Sequence, residues 1–344
     1  MKRKVLFVSD WPDNVKNGIA LQKLLEKEYS DNYEWTVWSC KKKANNNVSY
    51  RWRCYFKGAL YVIRNRKKYD AIFIWQQMVG YVFFELRKFI PFKTPAVVLF
   101  TFIYNSDNIF GKYKKHFVKG ALRYSKGVIW PSSEMADEVK KDFPKYRSKN
   151  HFTLMPMFDI IDNNIPVEET LDDPKFRNGV FTAGKSERDF NIVIRAFKNT
   201  SIPVTIVCPD DYPITETGMS DNIRILPFSK VSHEQYYALI NLAFCVLISV
   251  VSEKSPCGQL LISYAMSNSK PIIATNCYGV RDFIVNNENG LLFQVGQSKE
   301  ILGAYEKLKK DEAFTNNLVK KARQTAGEMS PNNFIPRIIS IMEN

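Results

Sequence analysis

The chain has 344 residues, of which 45% are hydrophobic and 14% aromatic, and its formal net charge is +14. This composition excludes an intrinsically disordered chain, and the six scattered cysteines form no CxxC pair or short disulfide framework. No run of about 18 apolar residues predicts a membrane span, and the short apolar stretch near the start does not fit a signal peptide. We therefore expect two domains with reduced thiols, in a cytoplasmic protein that is soluble or peripheral to a membrane.

The positive charge is concentrated in the first half of the chain. Residues 1–150 contain 30 Lys and Arg against 13 Asp and Glu, whereas the remaining residues contain 19 against 22. A first half with this excess of Lys and Arg is expected to bind an anionic surface, either acidic phospholipid or nucleic acid. We predict no nucleic acid, because the cations lie among buried-strand patterns and no nucleic-acid-binding motif is present. The expected partner is an anionic membrane surface.

The first half alternates short apolar strands with amphipathic helices, which predicts an open parallel sheet. The strands are expected at residues 4–9, 33–38, 70–75, 96–100, 127–130 and 152–156. The helix predicted over residues 51–68 places Trp52, Phe56, Ala59, Leu60 and Ile63 on one face, with many Lys and Arg beside them. This helix either lies on an anionic membrane or packs on the sheet with a solvated basic face.

A second series of strands and helices follows a linker. Residues 159–177 are acidic, contain two prolines and show no clear periodicity, which predicts the linker. The expected domains are residues 1–160 and 161–330, with a helix in residues 331–344. Two doubly wound halves imply a cleft between them, where ligands usually bind.

The segment from Ser252 to Thr275 predicts a strand–turn–helix anion site. Ser255 is typical of a helix N-cap and Pro256 of the first helical position, so a helix is expected as far as Met266. The N–H groups of Cys257, Gly258 and Gln259 would then point at an anion. Alone this signal is weak, because most helices of α/β proteins begin in this way.

The same segment resembles the donor-binding part of retaining, family 4-like glycosyltransferases. The resemblance covers roughly residues 179–295 and rests on these stretches: Ala183 to Asp189, Ala196, Gly258-Gln259, Ala265-Met266, Lys270 to Thr275, Gly279 to Asp282, and Asn289 to Leu292. It implies an α/β GT-B fold of two Rossmann-like doubly wound parallel-sheet domains that face a cleft. The first would take the acceptor and face the membrane, the second would bind the nucleotide sugar, and the last helix would cross back to the first.

The resemblance also implies roles for particular residues. Lys185 and Arg188 would be the cations that neutralise the donor diphosphate, although both also fit a solvated loop. Asp282 would accept hydrogen bonds from sugar hydroxyls, or would simply cap a helix over residues 280–285. The remaining residues expected at the donor are Gly18, Gly184, Val231, Ser255, Cys257, Gly258 and Gln259. For Gly18 a turn glycine is an equal alternative.

The sequence departs from the family at one pair of positions. The family usually has two glutamates eight residues apart, where this chain has Pro256 and Tyr264. Tyr264 would therefore stand at the ribose, without the two acceptor atoms that a carboxylate offers, and Glu253 is the candidate replacement. A histidine usual in the first-domain loop is also missing from residues 101–105.

We therefore expect a retaining glycosyltransferase that transfers a sugar from a nucleoside diphosphate donor to a glycan acceptor. The acceptor would be lipid-linked, at the inner face of a bacterial membrane, in surface or capsule polysaccharide synthesis. No cofactor is expected, and no metal, because no DxD-type motif or metal spacing of histidines occurs. The alternatives are a non-catalytic GT-B subunit that binds a membrane or a partner glycosyltransferase and, less favoured, a sugar-nucleotide epimerase.

Overall fold

Two parallel six-stranded sheets organise the chain, each in its own unit. The computed structural model describes residues 2–12, 25, 27, 29, 31–40, 48–75, 77–89, 96–101, 109–154, 166–169 and 171–344. One unit comprises Met1–Asp159 together with Pro331–Asn344, and the other comprises Ile160–Ser330. The predicted donor-site residue Gly18 lies outside the described residues, as do residues 102–105 of the loop after the fourth strand.

The first unit is a doubly wound sheet with the strand order β2-β1-β3-β4-β5-β6. Its strands are β1 (Arg3–Pro12), β2 (Tyr33–Cys40), β3 (Ala71–Trp75), β4 (Ala96–Phe100), β5 (Gly127–Trp130) and β6 (Asn150–Phe152). Its helices are α1 (Val48–Asn65), α2 (Gln77–Phe89), α3 (Ile109–Tyr124) and α4 (Ser133–Asp142), and the C-terminal α11 (Pro331–Glu343) joins them. The sixth strand begins two residues earlier than the sequence pattern predicts.

Both faces of the first sheet are buried, as expected for parallel strands. Leu6 and Val8 of β1 lie in the core formed with α1 to α4, whereas Val5 and Phe7 face the opposite side. That opposite side is covered by α11, whose Phe334 ring lies 5.5 Å from the ring of Trp75 and 6.1 Å from that of Phe73. The last helix of the chain therefore completes the core of the first unit.

The second unit repeats this architecture with the strand order β12-β11-β10-β7-β8-β9. Its strands are β7 (Val180–Ala183), β8 (Val204–Cys208), β9 (Ile223–Pro227), β10 (Cys245–Ile248), β11 (Ile272–Thr275) and β12 (Leu291–Phe293). Its helices are α5 (Phe190–Phe197), α6 (His233–Leu242), α7 (Gln259–Ser267), α8 (Tyr278–Arg281), α9 (Ser298–Lys310) and α10 (Glu312–Glu328).

The strand order reverses between β7 and β10. From β7 the chain proceeds through β8 to β9 on one side, and then returns to place β10 against the other side of β7. In open parallel sheets, ligands bind outside the carboxyl ends of the strands at such a reversal. The loops that follow β7 and β10 are therefore the first place to look for a site.

Candidate functional site

The turn after β7 and the segment after β10 are joined by backbone pairing. Arg188 and Val250 form an antiparallel bridge, and the N–H of Val251 donates to the carbonyl of Glu187 at 3.0 Å. Ser249 reinforces the junction, because its hydroxyl donates to the Asp189 carbonyl at 2.7 Å. The two loops that flank the strand-order reversal thus form one connected wall.

Arg188 is the unusual residue of this wall, because its cation is buried. The residue is only 9% exposed. Its Nε donates to the carbonyl oxygen of Ala183 at 3.0 Å and its Nη1 to that of Ser186 at 3.4 Å. Within the described part of the chain, no carboxylate lies within salt-bridge distance of the guanidinium. Buried charges are normally paired, so an anion would bind favourably here.

Burial lowers the pKa of the Arg188 guanidinium, while Cys257, Tyr236, Cys277 and the exposed Glu187 act in the opposite direction. An arginine nevertheless stays protonated in proteins, so the wall keeps a positive charge. A phosphate oxygen placed here would supply the missing partner and would gain charge-assisted hydrogen bonds.

Gly184 is required for Arg188 to occupy this position. Its φ is +145°, a conformation that residues with a side chain rarely adopt, and a Cβ built on it would lie 2.3 Å from Arg188 Nε. Because it has no side chain, Gly184 leaves room for the guanidinium of Arg188, which is consistent with its place in the quoted motif.

Lys185 has an exposed side chain three residues before the buried Arg188. Its Nζ lies 4.9 Å from the ring centroid of Phe228, in the short 3₁₀ turn that follows β9. The carboxylate of Asp210, after β8, accepts from the N–H of Ser229 in the same turn. The loops after β7, β8 and β9 therefore meet here. Val231, predicted near the donor, ends this turn and is buried.

The helix after β10 begins later than predicted. It starts at Gln259, and Gly258 is the N-cap with a φ of 115° and no side-chain cap. The prediction that Ser255 caps the helix and Pro256 opens it was wrong, since Ser255 Oγ instead accepts from the N–H of Cys257 at 3.4 Å. The N–H groups of the first turn of α7 have no acceptor within the helix. The N-terminus of α7 therefore carries the partial positive charge of the helix dipole.

The segment before α7 is fixed against the start of α8. A Cβ on Gly279 would lie 2.4 Å from the carbonyl carbon of Pro256, and the N–H of Gly279 donates to the Ser255 carbonyl at 2.8 Å. This close backbone approach explains the glycine that opens the Gly279–Asp282 motif. It also shows that the loop bearing Cys257 and Gly258 is held by main-chain contacts.

Glu253, the proposed substitute carboxylate, is engaged by a residue that the sequence argument did not single out. Arg281 Nη2 lies 2.5 Å from Glu253 Oε1, and Arg281 Nε donates to Asn276 Oδ1 at 2.7 Å. Glu253 is exposed. Its position after β10 keeps it on the same wall, but ribose binding by this carboxylate remains a prediction. The signal for Arg281 was present, because it lies inside the Gly279–Asp282 motif.

Tyr264 is buried in the second unit. It is 1% exposed, and its ring lies 4.6 Å from that of Tyr237 and 6.2 Å from that of Tyr236, both on α6. Its ring therefore belongs to the layer between α6 and α7, and its contact with the ribose stays a prediction. A carboxylate could not be buried there without a partner.

The remaining predicted residues lie at the same edge of the sheet. Cys257 is half-buried and Gln259 is buried, and burial raises the pKa of the Cys257 thiol, which therefore stays neutral. Asp282 is half-buried and follows the last residue of α8. The predicted helix over residues 280–285 is instead Tyr278–Arg281, so Asp282 occupies its C-cap rather than its N-terminal end.

Sequence comparison relates part of the second unit to a known protein family. Residues 186–325 match the family described as Glycosyl transferases group 1. The second unit carries a group 1 glycosyltransferase domain. The match begins inside the Gly184–Asp189 turn and includes the whole segment from β10 to α8. No curated protein sequence matches the chain.

Solved structures are similar to the chain over its full length. Sucrose-phosphate synthase (tll1590) from Thermosynechococcus elongatus is 14% identical, with a TM-score of 0.72 over 99% of this chain and 98% of that one. Anabaena Alr3699/HepE in complex with UDP is 16% identical, with a TM-score of 0.69 and complete coverage, 100% of each chain. An E. coli protein described as trehalose-6-phosphate bound with UDP-2-fluoro glucose is 10% identical, with a TM-score of 0.72 over 99% of each chain. These similarities confirm the predicted GT-B fold.

Two further observations concern the described residues alone. None of their helices is both long and apolar enough to cross a membrane. Among them, no group of three His, Cys, Asp or Glu side chains is placed to hold a metal ion.

Proposed function

We propose that the protein is a retaining, family 4-like glycosyltransferase that takes its sugar from a nucleoside diphosphate donor. The observation that carries this proposal is the buried Arg188 cation without a carboxylate partner in the described residues, at the strand-order reversal of a group 1 glycosyltransferase domain. A diphosphate has the charge and the oxygen atoms that this position lacks.

Arg188 and Lys185 would act on the leaving group. When the bond between the sugar C1 and the phosphate oxygen breaks, negative charge grows on the nucleoside diphosphate. A buried guanidinium and an exposed ammonium in the same turn would stabilise that charge without a metal, and the N-terminus of α7 would contribute from the segment after β10. The acceptor oxygen then bonds to C1, and its proton passes to the departing phosphate on the same face of the sugar.

The donor site would extend over the rest of the wall. The backbone at Cys257, Gly258 and Gln259 would hold the distal phosphate or the sugar, because Gly258 at the helix start allows close approach. Glu253 and Asp282 would accept hydrogen bonds from hydroxyl groups of the donor. UDP is the first nucleotide to test, since the HepE structures contain UDP or UDP-glucose.

The acceptor part of the proposal rests on charge. The basic first half favours an anionic surface, so we propose a lipid-linked glycan acceptor at the inner face of a bacterial membrane, in surface polysaccharide synthesis. The enzyme would be cytoplasmic and peripheral, with the first unit facing the membrane. Transfer of radiolabelled sugar to a membrane extract, compared with transfer to a soluble glycan, distinguishes a lipid-linked from a soluble acceptor.

Thermal unfolding with a panel of UDP-, GDP- and ADP-sugars tests the donor site. A donor at about 100 times its dissociation constant adds roughly 2.7 kcal/mol to the free energy of unfolding. Lys185→Ala and Arg188→Met should remove that protection. Arg195→Ala is the matched control, because Arg195 lies on α5 of the same unit and pairs with Glu216. If no donor protects the wild type, or if the control loses protection equally, the assignment fails.

The buried Tyr264 supports a second candidate, a non-catalytic GT-B subunit that binds a membrane or a partner glycosyltransferase. A protein that is protected by a nucleotide sugar, yet neither hydrolyses nor transfers it with membrane extract present, would favour this candidate.

A further inference from the structure

A groove of about 430 Å³ opens between α1, α2 and α3 of the first unit. Its walls are apolar and largely aromatic. The residues that form most of them are Trp52, Phe56, Met78, Tyr81, Tyr113 and Phe117. The volume is within the range of small-molecule sites, roughly 300–1,000 Å³.

The floor of the groove is fixed by packing. The ring of Tyr81 stacks on that of Phe117 at 5.7 Å with an interplanar angle of 22°. The Tyr81 hydroxyl and Thr101 Oγ1 are 2.9 Å apart in the buried interior. The floor is therefore set by the core of the first unit.

The rim, in contrast, exposes large apolar side chains. Trp52 is 43% and Phe56 46% exposed, and they lie one turn apart on α1 with ring centroids separated by 6.3 Å. Further along the same face of α1, Ala59 and Ile63 are buried in the core. The single apolar face predicted for this helix is therefore exposed at Trp52 and Phe56 and buried at Ala59 and Ile63. Exposed aromatic side chains over an apolar groove mark a binding surface.

Cations surround this aromatic rim. Arg53 and Lys57 follow Trp52 and Phe56 on α1, and both are exposed. Lys114 belongs to the groove lining on α3, and Lys119 lies exposed one turn further along that helix.

The carboxylate in the lining does not offset these charges. Glu85 lies 2.5 Å from Lys88 Nζ and 3.5 Å from His116 Nε2, so it already has cationic or protonatable neighbours of its own. The rim thus keeps a positive potential beside an apolar trough. An anionic headgroup joined to a hydrocarbon chain matches both properties.

We propose that this groove holds one hydrocarbon chain of an anionic membrane lipid, whose phosphate lies between Arg53 and Lys114. The proposal rests on the membrane-facing part of the proposed function and gives it a location. A second copy of the chain is a poorer occupant, because its first half carries the same excess of Lys and Arg and would repel this rim.

Vesicle binding with two charge-matched variants tests the groove. Phe56→Asp places a carboxylate at the groove rim. Leu60→Asp makes the same charge change one turn later on α1, at a residue that is 38% exposed and lines a different cavity, formed with Trp38, Cys40 and Lys57. The full-length proteins are sedimented with vesicles of phosphatidylglycerol and phosphatidylcholine. Phe56→Asp removes the contact between this side chain and the bound acyl chain, so it should weaken partitioning into the vesicles at least about tenfold. Leu60→Asp should stay within about twofold of wild type.

Fluorescence quenching shows whether a chain enters. Phosphatidylglycerol with brominated acyl chains should quench the wild type, and the largest part of that quenching should disappear in Trp52→Phe. If Phe56→Asp and Leu60→Asp weaken vesicle binding equally, or if Trp52→Phe leaves the quenching unchanged, the groove does not bind the acyl chain. The protein would then adsorb to the membrane by charge alone. A wild-type dimer that Phe56→Asp converts to a monomer would identify a second copy as the occupant and would also overturn the proposal.

The donor assay separates this proposal from the proposed function. Phe56→Asp should keep the full thermal protection by the nucleotide sugar, because the substitution lies in the other unit from Arg188. A wild type that binds vesicles as expected but gains no protection from any donor would refute the glycosyltransferase assignment and leave the groove standing.

Discussion

Replacing Arg188 by Met should leave the ligand-free protein as stable as the wild type, or more stable, while it removes donor binding. Burying an ion costs several kcal/mol after relaxation. The two backbone hydrogen bonds of Arg188, at 3.0 and 3.4 Å, each return roughly 1.5–3 kcal/mol, and the longer one returns the least. The two terms nearly cancel, so the ligand-free variant should keep the stability of the wild type to within about 1 kcal/mol.

The same substitution should weaken the donor substantially. Losing charge-assisted hydrogen bonds to a phosphate costs roughly 1.5–3 kcal/mol, which is about 10–150-fold in the dissociation constant. Urea unfolding with and without UDP-sugar measures both effects on one sample. The expected pattern is an unchanged or higher midpoint without ligand and little rise with it.

Arg224→Met is the matched control for stability. Arg224 lies in the same unit and is also partly buried, but it donates to Thr205 Oγ1 at 2.9 Å and to the Leu171 carbonyl at 2.7 Å, beside two aspartates. Its removal should destabilise the unit by about 1–3 kcal/mol. If Arg188→Met destabilises the ligand-free protein as much as this control does, Arg188 is a structural residue and the anion-site argument is refuted.

Three other substitutions or treatments give separate tests. Gly184→Ala should cost about 1–3 kcal/mol of unfolding free energy and abolish donor protection, because its φ of +145° is strained for alanine and the new Cβ displaces Arg188; normal protection would contradict this. Phe334→Ala should lower the unfolding free energy of the first unit by about 3–5 kcal/mol in urea unfolding, since the ring is buried against Trp75, whereas donor protection should survive. Of the six cysteines, Cys257 alone is half-buried, so an alkylating reagent at pH 8 should label it first, slowly because burial raises its thiol pKa, and more slowly still with donor present; mass spectrometry of labelled peptides identifies the site.

The architecture was accessible from the sequence because its strands are short apolar runs between turn residues. The alternation of strand and helix in both halves led to two parallel sheets, and the quoted motifs led to the GT-B fold, which the solved structures confirm. These are local signals and a recognised pattern, and they need no knowledge of which residues meet in space.

The start of α7 shows where local signals fail. Ser255 followed by Pro256 is a strong signature of a helix N-terminus, yet the helix begins only at Gln259. The tertiary contact of Gly279 with the backbone of Pro256 and Cys257 holds that stretch in a non-helical conformation. No propensity scale contains this contact, because it depends on the neighbouring strand β11.

The environment of individual side chains was equally beyond the sequence. Arg188 fitted a solvated loop as well as a phosphate site, and only its burial and its backbone acceptors favour the latter. Tyr264 occupied a ribose position by alignment of motifs, but it packs among tyrosines of α6. The face of Trp52 and Ala59 looked uniform, and the packing of α1 divided it.

The C-terminal helix α11 also determines when the first unit is able to fold during synthesis. The aromatic face of its sheet, with Phe73 and Trp75, is made early, whereas Phe334 follows only after the 171 residues from Ile160 to Ser330. At 5–20 residues per second, the ribosome needs roughly 9–34 s for that stretch. The second unit, whose strands are contiguous in the chain, is able to complete its own core during this interval. Until α11 is made, the sheet face around Phe73 and Trp75 lacks its contact with Phe334.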